Sequence, residues 1–307
     1  MKEHLVDIRI NDQPIEFTLE NEENLGDIIS GIKTWLGDSG YRITSIEHDG
    51  TVIYPYSSQS ESWQQEPISG ISSINVTVLS PIEQYGQNLH TMYQYITLLN
   101  RALSAHNIAL IGQLKEELPQ IIAHIDEYVG GGSSYGKALE QLVEASGILE
   151  GELKPQVQKL QEFCNNLMII LSSRLNELTN PFDELKQTAN ALNEVVPKLP
   201  EVSILLQTGR DKEAMNSIIE FAEISEKLIR LYRVLKDRGY TGFEDTTIED
   251  QSFSDFYNEL NGIFRELEEA FNSRDSVLIG DLLEYEVAPR TEKLIAYISA
   301  IENEKEG

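Results

Sequence analysis

From about residue 84 onward the spacing of apolar residues becomes helical and stays so, and no other feature constrains the fold as strongly. Before that point, short runs such as HLVDIRI and IEFTL alternate between apolar and polar residues, which is typical of half-buried β-strands. After it, apolar residues recur every three or four positions, which predicts amphipathic α-helices. The sequence therefore predicts an α+β protein, with a small β-domain over residues 1–80 and a large all-α region over residues 84–307.

The all-α region is expected to contain about seven to nine helices, arranged largely as antiparallel hairpins. Two breaks in the helical pattern predict flexible loops. One is GGGSSYG at 130–136, and the other is the polar, acidic stretch 240–254, which we interpret as a surface loop. An Asn-Pro pair at 180–181 predicts the start of a helix.

The first 80 residues contain a recognisable order of elements. NDQP offers a tight turn between two strands, and HDG offers another after YRITSIE. Between them, ENLGDIISGIKTWLGDSG predicts a helix that Gly37 or Gly40 can end, with one apolar face formed by Leu25, Ile28, Ile29, Ile32, Trp35 and Leu36. SSINVTVLS then predicts a closing strand, which gives the order β-β-α-β-loop-β.

This order resembles the β-grasp, or ubiquitin-like, fold. The sulfur-carrier and conjugated members of that fold end in an exposed Gly-Gly tail, whereas here the last strand continues into LSPIEQYGQNLH and then into helices. The resemblance therefore implies an interaction module rather than a carrier or a modifier.

The loop that precedes the closing strand, residues 54–67, carries three aromatic side chains among polar ones: Tyr54, Tyr56 and Trp63. Loop aromatics can anchor a binding partner, and they can equally fold back over the edge of the sheet. The sequence leaves both interpretations open.

Three segments of the helical region look alike: SAHNIALIGQLKEELP, QTGRDKEAMNSIIEFAEI and NSRDSVLIGDLLEYEVAP. With Asn107, Asp211 and Asp275 aligned, apolar residues coincide without gaps, and each aligned residue is predicted to cap the second helix of a hairpin. Gly112 and Gly280, inside the predicted helices, suggest close helix crossings. Duplication and convergence both explain the likeness.

Residues 278–289 also resemble a helix of uncharacterised bacterial proteins with DLLEYEL-P-type segments. That resemblance implies a bacterial origin and carries no activity.

Composition excludes several classes of function. The formal net charge is −27, from 51 acidic residues against 24 Lys and Arg, so we expect no nucleic-acid partner. No apolar run approaches the roughly 18 residues of a membrane span, so we expect no membrane insertion. Without a secretory signal pattern, the chain is expected to be cytoplasmic. Its single cysteine, Cys164, is interpreted as an inert buried thiol.

No arrangement of residues in the sequence predicts catalysis. The five histidines form no Glu-x-x-His or His-x-x-x-His pair, and neither a Gly-rich phosphate loop nor a G-x-S-x-G elbow occurs. Glu116, Glu220 and Glu284 fall at one position of the three similar segments and could converge on a metal ion. Acids are so frequent here that solvated helix faces are the simpler interpretation. We expect no catalytic, cofactor-binding or metal-binding residue, and no cofactor.

The function predicted from these observations is a non-enzymatic, acidic adaptor, scaffold or chaperone-like protein. Its partner would be another protein, with a basic or helical segment as the natural ligand. The candidate partner-binding residues are Tyr54, Tyr56, Trp63, Glu116, Glu220 and Glu284. Aromatics at helical spacing, Phe221, Tyr257, Phe264 and Phe271 among them, are interpreted as core. Two alternatives remain: a self-assembling homo-oligomeric structural protein, and an enzyme or small-molecule sensor with a pocket among the helices.

Overall fold

A computed structural model describes residues 6–16, 22–56, 61–130, 134–245 and 247–306. It has a mixed five-stranded sheet near the N-terminus and a large set of helices after it. The predicted α+β class, with a small β-domain followed by a large helical region, is confirmed. The chain divides into two compact units, residues 1–88 and residues 89–307.

The sheet has the strand order β2-β1-β5-β3-β4, with β1 and β5 parallel and the other neighbours antiparallel. Its strands are β1 Asp7–Ile10, β2 Gln13–Pro14, β3 Arg42–His48, β4 Thr51–Ile53 and β5 Ser73–Leu79. Both predicted tight turns are present. Each is a two-residue turn with positive φ at both positions, Asn11–Asp12 and Asp49–Gly50, which matches the right-handed twist of the strands that it joins. The second strand is shorter than IEFTL suggests, and residues 17–19 of that run lie outside the described residues.

Helix α1, Leu25–Leu36, lies on one face of the sheet and shares its core. Asn24 and Asp27 form a reciprocal capping box at its start, and Gly37, with φ of 54°, ends it as predicted. The predicted apolar face is wrong for Trp35, whose side chain is 65% exposed. At about 100° per residue, Trp35 lies at the margin of a stripe that Ile28, Ile29 and Ile32 already fill.

The helical region contains more helices than predicted. Some predicted helices are interrupted, as where Lys115–Glu117 separates α3 from α4. The helices are α2 Pro81–Ser104, α3 Ile108–Leu114, α4 Leu118–Val129, α5 Tyr135–Ser146, α6 Val157–Thr179, α7 Pro181–Val195, α8 Val202–Gln207, α9 Asp211–Asp237, α10 Gly242–Asp245, α11 Phe253–Ser273, α12 Ser276–Asp281 and α13 Ala288–Glu306. Among the described residues, none of these helices combines the length and the apolar character needed to cross a membrane.

The two predicted loops have different outcomes. Residues 131–133 of the first lie outside the described residues, and the rest of it leads into α5 at Tyr135. The second does not form the predicted surface loop throughout, because Phe243 and Ile248 are buried in the main helical core. The ring of Phe243 lies 4.9 Å from that of Tyr232 and 5.4 Å from that of Phe253. This aromatic contact holds the acidic segment 240–254 against the helices.

The three similar segments end their first helices with the same turn. His106, Gly209 and Arg274 adopt positive φ, and the next residue donates its backbone N–H to the carbonyl five residues earlier. These bonds join Asn107 to Ala102, Arg210 to Leu205 and Asp275 to Ala270, at 2.8–3.0 Å. The predicted hairpins therefore share a backbone geometry as well as a pattern.

In the structure, the middle segment aligns with the other two one residue earlier than the sequence suggests. Asn107 and Asp275 cap their helices by accepting the N–H of Leu110 and of Leu278. The equivalent position is Arg210, whose side chain makes no capping bond, and Asp211 is already the first helical residue. Asp211 is therefore not the predicted cap. In the corrected frame, the fourth residue after each cap is buried: Ile111, Ala214 and Ile279.

The segment that resembles bacterial DLLEYEL-P proteins forms a π-helix, Leu282–Val287, between α12 and α13. Pro289 has no N–H to donate to the carbonyl of Tyr285, and its ring would clash with that carbonyl in a regular helix. A wider π-turn relieves both problems. Leu282, Leu283 and Val287 remain buried, whereas Tyr285 is exposed.

Candidate functional site

An open groove of about 630 Å³ separates α9 from α11. The two helices run antiparallel, because residues that follow one another along α9 meet residues in descending order along α11. The rings of Phe221 and Phe264 lie 6.0 Å apart near one end, and those of Tyr232 and Phe253 lie 4.3 Å apart near the other. The volume lies within the range of about 300–1,000 Å³ that is usual for ligand sites.

Each wall of the groove is one face of a helix. The α9 wall consists of Ile218, Phe221, Ala222, Ser225, Glu226, Ile229, Arg230 and Arg233. The α11 wall consists of Tyr257, Asn261, Phe264, Leu267, Glu268, Phe271 and Asn272. Both sets recur every three or four residues, so each wall is a continuous stripe. The lining is mainly apolar, and its charged residues are Glu226, Arg230 and Arg233 on α9 and Glu268 on α11.

One end of the groove carries two arginines in different electrostatic situations. Arg230 donates to both carboxylate oxygens of Glu177, at 2.9 and 3.1 Å. Arg233, one turn further along α9, is exposed and makes no hydrogen bond or ion pair with any residue that the structure describes. Burial raises the pKa of the nearby Tyr257 phenol, and the charge of Arg233 opposes that shift. Arg233 is therefore the groove cation that is available to a ligand.

A buried ion-pair network holds Arg230 in place. Glu177 is 2% exposed, and it also accepts a hydrogen bond from Arg174 at 2.8 Å. Arg174 in turn donates to the carbonyl of Val129, next to Gly130 at the rim of the groove. Burial raises the pKa of Glu177, although the positive charge of Arg174 opposes the shift. Because these bonds occupy Arg230, its guanidinium is held in place within the α9 wall of the groove.

A second buried carboxylate extends the network. Glu184 of α7 pairs with Lys227 of α9 and accepts a hydrogen bond from the Asn176 amide of α6. The two glutamates thus join α6, α7 and α9 by charged contacts, which are unfavourable to break when one partner is removed. This arrangement positions α9 firmly as one wall of the groove.

The opposite end of the groove is acidic and merges with exposed apolar residues. Glu268 and Asn272 lie at this end on α11, and Glu268 forms no ion pair within the described part of the chain. On α9, the stripe of Ile218 extends to Met215 and Ile219, which are both exposed. The apolar face of α9 therefore continues beyond the groove itself.

The groove offers apolar and charged side chains for binding. Cys164, the one thiol of the chain, is buried on α6, and burial raises its pKa to about 12, which agrees with the predicted inert thiol. In the described residues, no group of three or more His, Cys, Asp or Glu side chains is arranged to hold a metal ion. The groove can therefore bind an apolar surface and place a charge at each end of it.

The three loop aromatics that the sequence singles out have separate locations. Trp63 is half-buried and packs against the core of the N-terminal unit. Tyr54 and Tyr56 are each 59% exposed. The guanidinium of Arg42 lies 4.8 Å from the centre of the Tyr56 ring, a distance typical of a cation–π contact.

Among the described residues, the three glutamates of the similar segments form no cluster that could hold a metal ion. Glu116 is exposed, and Glu220 is exposed and pairs with Lys198 at 3.3 Å. Glu284 is half-buried and hydrogen-bonds Tyr285, which raises the pKa of that phenol. None of the three is among the lining residues of the groove. In the corrected frame only Glu116 and Glu284 coincide, because Glu220 lies one residue too far along its segment.

Two family models match separate parts of this chain. Residues 6–80 match the TP0873 N-terminal domain, and residues 183–297 match a domain of unknown function, DUF8042. No curated protein and no solved structure matches the chain. The second match contains the whole of α9 and α11, so both walls of the groove lie within one family region.

The sequence favours a core position for Tyr257, Phe264 and Phe271 of α11, and that interpretation does not predict the groove. Phe256, Leu260 and Ile263 are buried in the core, and Tyr257 and Phe264 are half-buried, pack against that core and also line the groove. The sequence does contain a signal for the groove, because the apolar stripe of α11 is wider than a single packed face requires.

Proposed function

We propose that this chain is a non-enzymatic adaptor, scaffold or chaperone-like protein that binds an amphipathic helix of a partner protein in the groove between α9 and α11. The observation that carries the proposal is the pair of facing apolar stripes on antiparallel helices that leave an unfilled channel. An apolar groove between helices is a common receptor for the apolar face of a third helix.

The dimensions of the groove support a helical ligand. From Ile218 to Arg233 the α9 wall spans about 22 Å, at 1.5 Å per residue. A helix of about four turns has this length. Because the channel is open to solvent along one side, its ligand must itself have a polar face, which an amphipathic helix provides.

Charge supports the choice of partner. The formal charge of −27 attracts basic proteins and repels phosphate backbones and anionic lipid. The proposed partner helix therefore carries basic residues on its solvent face, and binding is expected to weaken as the salt concentration rises. We also propose a cytoplasmic location for the chain, on the basis of its sequence composition.

We also propose that residues 6–80 form a β-grasp interaction module. Support comes from the β2-β1-β5-β3-β4 order with a parallel central pair and a helix on one face. The exposed Tyr54 and Tyr56 are the side chains of this unit that we propose for contact with a partner.

A selection experiment tests the groove and requires no identified partner. A displayed library of random peptides of about 20 residues is selected on the full-length protein. We expect enriched peptides with apolar residues at i, i+3, i+4 and i+7 and basic residues elsewhere. Ala222→Trp should abolish their binding, because Ala222 is an exposed residue in the groove wall and the indole would fill the channel.

Glu223→Trp is the matched control, since Glu223 is the next residue of α9, is also exposed and does not line the groove. Peptides that bind both variants equally would overturn the proposed function. The same conclusion would follow if no amphipathic peptide were enriched while dodecanoate bound the wild type and not Ala222→Trp, because the groove would then be a lipid site.

A further inference from the structure

We infer that the two ends of the groove select for charge: the bound helix places an acidic side chain on Arg233 and, about four turns away, a basic side chain near Glu268. This inference rests on the proposed helix binding and adds the chemistry that sets the register of the ligand. Its basis is the position of Arg233 at one end of the groove and of Glu268 at the other; between them lies one further acid, Glu226, which is 3.9 Å from Arg230.

The arginine end has one cation to offer. The guanidinium of Arg230 is held by Glu177 on the buried side, and Glu226 lies 3.9 Å from it on the exposed side. Moving Arg230 toward a ligand would remove one of the two arginines that hydrogen-bond the buried Glu177, which is costly. Arg233 forms no ion pair among the described residues, and it lies beside Tyr257 at the arginine end of the groove. An acidic side chain is the group that its planar donors bind best.

The acidic end is defined by the antiparallel pairing of the helices. Phe221 meets Phe264, so Glu268, one turn further along α11, lies opposite the N-terminal part of the α9 wall near Ile218. Arg233 and Glu268 are therefore separated by about 24 Å along the groove, or about four helical turns. A helix with like charges at these two places would meet repulsion at one end. Opposite charges in the right order fit both ends at once.

A second selection tests the inference with the same peptide library. On the wild type, we expect enriched amphipathic peptides to share an acidic position at one end and a basic position about 15 residues away. On Arg233→Glu, the acidic position should change to Lys or Arg. For a single recovered peptide, Arg233→Glu should weaken binding by roughly five- to tenfold, as measured by fluorescence anisotropy. Replacing the acidic residue of the peptide by Lys should restore most of the affinity that Arg233→Glu removes.

Arg265→Glu is the control for net charge, because Arg265 is an exposed arginine of α11 outside the groove lining. It should leave affinity within about twofold. On Glu268→Lys, the basic position of the enriched peptides should change to an acidic one. If amphipathic peptides bind in an Ala222-dependent way but show no fixed charges, and Arg233→Glu and Arg265→Glu act alike, charge selection is excluded while helix binding stands.

Discussion

Gly280 of α12 lies so close to Ser203 of α8 that a Cβ atom on the glycine would be 2.3 Å from the Ser203 Cβ and 2.6 Å from its Oγ. A real Cβ cannot approach a side chain to that distance, so the two short helices must separate if the glycine is replaced. This is the close helix crossing that the sequence suggests at Gly280. The same suggestion is wrong at Gly112, where a Cβ would meet nothing within 4 Å.

We predict that Gly280→Ala lowers the free energy of unfolding by about 1–3 kcal/mol, because overpacking forces α8 and α12 apart. Gly112→Ala should raise it by about 0.5–1 kcal/mol, since alanine favours the helix and nothing obstructs it. Urea unfolding followed by circular dichroism measures both. Ser203→Gly should partly rescue Gly280→Ala, and two equally destabilising alanines would contradict the close approach.

The hairpin caps make a second prediction. Asp275→Ala and Asn107→Ala should each cost about 1 kcal/mol, because each side chain accepts a backbone N–H at the start of its helix. Asp211→Ala should cost less than about 0.5 kcal/mol, since Asp211 offers only a favourable charge in the first turn. The same urea-unfolding experiment measures the loss of stability in each of the three variants and so ranks them. A large loss at Asp211 would restore the alignment read from sequence.

The buried network makes a third prediction. Glu177→Gln should destabilise the protein by about 3 kcal/mol, because it leaves Arg174 and Arg230 without their shared counter-charge. Glu226→Gln is the control, because it removes the other acidic neighbour of Arg230 and Glu226 is exposed. It should change the free energy of unfolding by less than about 0.5 kcal/mol. Comparable effects of the two changes on the denaturation midpoint would show that burial does not matter here.

The buried thiol makes a prediction about pH. Cys164 has a pKa of about 12 in the folded chain and about 8.5 when unfolded, so the folded chain holds the proton more tightly. Deprotonation therefore favours unfolding, and stability falls as pH rises above about 8.5, by up to about 1.4 kcal/mol per pH unit. Measured against Cys164→Ala, which lacks the thiol, this extra loss should appear between about pH 9 and about pH 10.5. Parallel stability curves for the two proteins over that range would refute the assignment.

Signals that act over a few residues were readable in the sequence. The two-residue turns of the sheet, the glycine that ends α1, the Pro181 start of α7 and the caps at Asn107 and Asp275 all depend on side chains next to the backbone that they serve. The change of periodicity near residue 84 likewise determined the fold class, because the spacing of apolar residues reflects the geometry of each element alone.

Only the tertiary structure decided which apolar faces find a partner. Tyr257 and Phe264 pack against the main helical core as their spacing indicates, and they also line the groove, because α9 and α11 leave a channel between them. Arg230 and Arg233 are indistinguishable in the sequence, and they differ because Glu177, 53 residues before Arg230, reaches the first of them and not the second. Burial and charge pairing depend on contacts between distant segments, and a local pattern does not contain that information.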